Sequence, residues 1–127
     1  MYETRQNMLT TMRGTAENFL RHALGVTELP SDKFLQVIIL SDQNLELFEV
    51  TLSPADNGDI DIIQQGHGHR ISISSDYKLI ENGTNSQKKT DRDLRLIKGR
   101  LFSWAEQLEL LLLNHPKRVS VVCESIS

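Results

Sequence analysis

The first 25 residues carry apolar side chains at helical spacing. They recur at steps of three and four residues, which places them on one face of an α-helix: Met8, Leu9, Met12, Ala16, Phe19, Leu20, Ala23 and Leu24. Gly25 is well placed to adopt the left-handed conformation that often ends a helix, and Pro30 cannot continue one. We therefore predict a helix over about Thr4 to Leu24.

The middle of the chain alternates short apolar runs with turn residues. "FLQVIIL" (34–40) is typical of a buried strand, and "LELFEVTL" (45–52) of its hairpin partner after the turn "SDQN". "IDIIQQ", "RISIS" and "YKLI" predict further short strands, and "SPADNGD" predicts a loop. These hairpins favour antiparallel pairing.

A second helix is predicted over residues 91–113. Thr90 and Asp93 have the spacing of a capping box. One apolar stripe runs along the helix: Leu94, Ile97, Leu101, Ala105, Leu108 and Leu112. Pro116 ends the helix, and "VSVVCESIS" predicts a last strand.

The element order predicts a single α+β domain covering residues 1–127. We expect a mostly antiparallel sheet of four to six strands, an N-terminal helix, and a long C-terminal helix followed by a last strand. Because a helix precedes it, that last strand could pair in parallel within the sheet.

Composition narrows the class of protein. The chain of 127 residues is 39% hydrophobic and 24% charged, with a net charge of -3, which is ordinary for a globular domain and unlike a protein that coats DNA. A single cysteine excludes an intrachain disulfide and favours a reducing cytoplasm. "VSVVCES" predicts that Cys123 is a small buried side chain. The N-terminal segment lacks the apolar stretch of a signal peptide, so we expect a cytoplasmic protein.

The segment "QQGHGHRISIS" raises the question of a metal site. His67 and His69 would point the same way on an extended chain and could share one metal ion. No third ligand has informative spacing, so no metal or cofactor is assigned. The simpler interpretation is a hairpin tip, where His67, His69 and Arg70 could contact a partner.

A basic cluster spans residues 88–100. Lys88 and Lys89 precede the second helix, and Arg92, Arg95 and Lys98 follow at helical spacing. Such a surface could contact the phosphates of RNA or DNA, or it could be an ordinary solvated helix face.

The strand–strand–strand–helix–strand order over 33–126 resembles the central domain of the release-factor and Pelota class, a resemblance that implies a ribosome-associated fold.

The second helix is apolar around most of its circumference in "LFSWAEQLELLLL". These side chains could all belong to the core, or some could form an interface because a small sheet cannot cover them all. Trp104 and Leu111 are the expected partner-binding residues, since tryptophan is enriched at interface hot spots.

Nothing in the sequence amounts to a specific enzyme signature. The chain lacks G-x-S-x-G and the glycine-rich loops that bind nucleotides. The sequence therefore predicts a non-enzymatic adaptor or regulatory domain that binds another protein or itself as a homodimer through the helix 91–113. The alternative is a nucleic-acid- or ribosome-binding protein that uses the basic cluster and the GHGHR tip.

Overall fold

Two α-helices frame a run of six strands in the computed structural model, which describes residues 4–30, 32–53, 58–64, 69–81, 84–85 and 90–125. The elements are α1 (Arg5–Leu24), β1 (Lys33–Leu40), β2 (Glu46–Leu52), β3 (Ile60–Gln64), β4 (His69–Ile73), β5 (Leu79–Glu81), β6 (Thr84–Asn85), α2 (Asp91–Asn114) and β7 (Val119–Ser125). A 3₁₀ turn, Pro116–Arg118, joins α2 to β7. The predicted α+β class and element order are confirmed.

The strands form one antiparallel sheet in the order β6-β5-β4-β3-β2-β1-β7. Strands β1 to β6 form a meander, and β7 joins on the free side of β1. The last strand is thus antiparallel to β1, whereas the sequence also allowed parallel pairing. The direction follows from the position at which the chain leaves α2. Arg118, just before β7, lies at the end of β1, where its Nε donates to the carbonyl of Leu40 at 2.9 Å. From there β7 runs back along β1.

Both helices cover one face of the sheet. Alternate residues of the central strands are buried, as expected when one face of a sheet meets a core. They form a single cluster with the inner faces of α1 and α2, including Met12, Phe19, Leu94, Leu101 and Leu108. The other face of the sheet carries no helix among the described residues.

The helix ends follow the sequence signals. The Thr4 hydroxyl accepts from the backbone N–H of Asn7, and Gly25 ends α1 with a left-handed φ of 69°. Thr90 and Asp93 form the predicted capping box at the start of α2. Neither helix in the described part of the chain combines the length and apolar content needed to cross a membrane.

Arg13 ties α1 to the sheet from within the core. Its side chain is buried on the apolar face of α1 and donates to the carbonyls of Ile73 and, at 2.7 Å, Gly58. Its Nε also lies 3.1 Å from the Glu17 carboxylate, four residues along the helix. One guanidinium therefore joins α1 to the end of β4 and to the turn before β3, and a carboxylate balances its charge.

Candidate interaction surface

The solvent-facing side of α2 exposes large apolar side chains. Leu110 is 61% exposed and Leu113 is 79% exposed, and Leu96 and Phe102 are exposed nearer the start of the helix. Leu94, Leu101 and Leu108 of the same helix are fully buried. The fold thus uses one side of α2 for its core and leaves apolar side chains on the other. We call Leu96, Phe102, Leu110 and Leu113 the outer face of α2.

Trp104 and Leu111, the two residues of α2 expected to contact a partner, lie between these two sides. Both are half-buried and pack against the core. The Trp104 ring meets Phe48 of β2 edge to face, with centroids 4.3 Å apart and planes at 87°. Trp104 therefore contributes to the core, whereas Leu110 and Leu113 are mostly exposed. The sequence could not separate these roles because apolar residues fall on nearly every side of this part of α2.

A shallow groove of about 260 Å³ separates α1 from α2. Phe19 and Ala105 lie in it, and Phe102 contributes one wall. Asn18, His22 and Glu106 supply polar groups around it. The groove continues the apolar surface of Phe102 toward α1, but it holds no converging set of polar groups that would indicate a small-molecule site.

The basic cluster is partly described. Lys88 and Lys89 lie outside the described residues, while Arg92 and Arg95 are exposed on α2. Lys98 is half-buried, with its Nζ 5.9 Å from the centre of the Phe102 ring. Acidic groups share this end of the helix: Asp91 pairs with Arg5 at 3.4 Å. The described surface is therefore of mixed charge.

The GHGHR segment falls at the junction of β3 and β4. Residues 65–68, including His67, lie outside the described residues, and only the backbone of His69 is described. Arg70 lies within β4, where its Nη2 donates to Asp61 at 2.6 Å. This hydrogen bond and the charge of Asp61 raise the pKa of the Arg70 guanidinium. Ser72 donates to the same carboxylate.

Two hydrogen-bonded polar clusters lie side by side on the sheet face that the helices leave open, one around Asp61 and one around Glu49. Asp61 lies opposite Thr51 on the neighbouring strand. Thr51 Oγ1 donates to Glu49 at 3.0 Å, and Gln36 Nε2 donates to the same carboxylate at 2.6 Å. Sequence reasoning missed these clusters, although polar residues at alternate strand positions were their signal. The hydrogen bonds within each cluster stabilise the uncovered face.

Metal binding finds no support in the described residues. Within them, no three His, Cys, Asp or Glu side chains come together as ligands would. His67 and the side chain of His69 lie outside this set, so the proposed sharing of a metal by the two histidines stays a hypothesis without a third ligand.

Cys123 is exposed, so the expectation of a buried side chain was wrong. It lies opposite Leu35 of β1, which is fully buried. Directly opposite residues of antiparallel strands share one face of the sheet. Cys123 therefore points to the side that carries the helices, but it lies on an edge strand and its side chain is exposed.

Comparison with known proteins identifies no relative: no family model, curated protein or solved structure matches this chain. The resemblance to the central domain of the release-factor and Pelota class therefore stays a likeness in element order.

Proposed function

We propose that this chain is a small cytoplasmic, non-enzymatic interaction domain that self-associates through the outer face of α2. The observation that carries the proposal is the exposure of Leu110 and Leu113, with Phe102 about two turns earlier, on a helix whose opposite side already fills the core. Scattered single apolar residues are normal on protein surfaces, but several on one helix face are typical of a protein contact.

The charge pattern of α2 favours a second copy as the partner. Residues 91–102 carry four basic and two acidic side chains, and residues 103–114 carry two acidic and no basic ones. Two copies of α2 packed antiparallel about a two-fold axis would place each basic half beside the acidic half of the other. The apolar side chains would then be buried between the helices.

Adding lysine to the outer face is expected to separate the copies. Leu110→Lys with Leu113→Lys removes the apolar contact and gives the acidic half of α2 positive charge, while lysine suits the C-terminal end of a helix. We expect association to weaken by about 2 kcal/mol or more, roughly thirtyfold. Sedimentation velocity over a concentration series measures this.

A matched variant controls for the added charge. Thr27→Lys with Gln43→Lys places the same two charges on exposed connecting segments, and we expect it to associate like the unmodified chain. Equal association of the α2 variant and this control would contradict the proposal.

The nucleic-acid hypothesis makes a different prediction, and the exposure of Arg92 and Arg95 is what favours it. It requires binding to single- or double-stranded RNA that weakens steeply as salt rises. Filter binding at two salt concentrations, with Arg92→Glu and Arg95→Glu as the variant, tests it. An RNA affinity that is the same at both salt concentrations and in the variant would contradict this alternative.

A further inference from the structure

The strand β7 leaves one edge of the sheet open. It is seven residues long and lies last in the strand order beside β1, with no described strand on its other side. Edge strands in natural proteins are usually short, or are protected by proline, lysine or a bulge. Residues 119–125, "VSVVCES", contain neither proline nor lysine, and their pairing with β1 continues without a shift in register from Val119 to Ser125.

The inward-facing side chains of β7 lack the cover that their neighbours on β1 have. Val121 lies opposite Val37, and Cys123 lies opposite Leu35. Val37 and Leu35 are at most 1% exposed, whereas Val121 is 37% exposed and Cys123 is exposed. Val119, the first residue of the strand, is buried. Cover on the core-facing side of β7 thus decreases after Val119, and Val121 and Cys123 are exposed to solvent.

The charges around β7 favour antiparallel pairing with a second copy of the same strand. Lys117 lies just before the strand and Glu124 near its end, and both are exposed. Two copies of β7 side by side in antiparallel orientation bring Lys117 of each toward Glu124 of the other. Parallel copies would bring like charges together. Antiparallel pairing about a two-fold axis is also the closed arrangement that identical chains usually adopt.

We propose that β7 pairs antiparallel with β7 of a second copy, joining the two sheets into one. The pairing satisfies the outward backbone groups of both edges and covers Val121 and Cys123. It is a second contact, separate from the outer face of α2, because β7 lies at the rim of the sheet and the outer face of α2 points away from the sheet.

Cys123 reports directly on this contact. It is the only cysteine. In the pairing that brings Lys117 toward Glu124, the two-fold axis lies near residue 121, so the two copies of Cys123 lie on the same face of the sheet, about 13 Å apart along the strands. We expect a bismaleimide whose spacer spans about 13 Å to link two chains through Cys123 in high yield. In the control, Cys123→Ser with Gln6→Cys moves the thiol to an exposed position on α1, and we expect no linkage.

Val121→Lys tests the contact by a second route. Lysine is tolerated on a half-exposed edge strand but opposes strand pairing, so we expect the β7 contact to weaken about tenfold or more. The Cys123 linkage should be lost with it. Gln43→Lys, an exposed position in the β1–β2 turn, is the control and should keep the linkage.

The two proposed contacts give different results in one series. Linkage through Cys123 that survives Leu110→Lys with Leu113→Lys, but not Val121→Lys, supports β7 pairing whatever the outcome for α2. Self-association without linkage at Cys123, or linkage unchanged by Val121→Lys, would overturn β7 pairing and leave the α2 proposal standing. A monomer at all concentrations would overturn both.

Discussion

Replacing Phe48 with alanine is expected to lower the free energy of unfolding by about 4 kcal/mol. Phe48 is 1% exposed and lies in the sheet face that meets the helices. Its ring also meets the ring of Trp104 edge to face. Removing it therefore leaves a cavity and removes the aromatic contact of Trp104. Denaturant unfolding followed by the fluorescence of Trp104, the only tryptophan, measures the change.

The neighbouring residue supplies the control. Leu47 is 37% exposed, and Leu47→Ala should cost less than about 1 kcal/mol because little buried surface is lost. Similar losses for the two variants would mean that α2 does not pack on β2 through Phe48. A small loss for Phe48→Ala with unchanged Trp104 fluorescence would mean the same.

Replacing Arg13 with methionine is expected to cost about 3 kcal/mol. Methionine fills much of the same volume, but the carbonyls of Ile73 and Gly58 lose their buried donor and Glu17 loses its partner. Because buried carbonyls without a donor carry a desolvation cost, the loss should exceed that of an exposed ion pair. Thermal and urea unfolding both measure it.

Arg21→Met is the matched control for Arg13. Arg21 lies on the same helix, is more exposed, and bonds Asn18 and Glu17 at the surface, so its loss should cost less than about 1 kcal/mol. Arg13→Lys should recover only part of the stability, because one ammonium cannot reproduce the planar guanidinium that reaches both carbonyls. Equal costs for Arg13→Met and Arg21→Met would contradict the described role of Arg13.

The sequence predicted the ends of the helices better than the contacts between distant parts of the chain. Thr90 and Asp93 identified the start of α2, and Gly25 the end of α1, because cap signals are local. Arg13 was not identified, although it falls among Leu9, Met12 and Ala16 on the apolar stripe of α1. Its partners lie 45 and 60 residues away, and spacing along one helix does not show such contacts.

The roles of the apolar residues on α2 also depended on long-range structure. A stripe this wide does not indicate which side meets the sheet: Trp104 and Leu111 are half-buried against the core, and Leu110 and Leu113 are exposed. The expected contact of Trp104 and Leu111 with a partner stays a prediction. For Cys123, the local sequence correctly predicted a strand. Its exposure follows from the place of that strand at the edge of the sheet, which depends on the pairing of β7 with β1.

The central claim is that the outer face of α2 meets a second copy of the chain. Sedimentation equilibrium of the unmodified protein at micromolar concentrations tests it most directly, alongside the variant with Leu110→Lys and Leu113→Lys. We predict a mass of at least two chains for the unmodified protein and a smaller assembly for the variant. A single-chain mass for the unmodified protein at every concentration would contradict the claim.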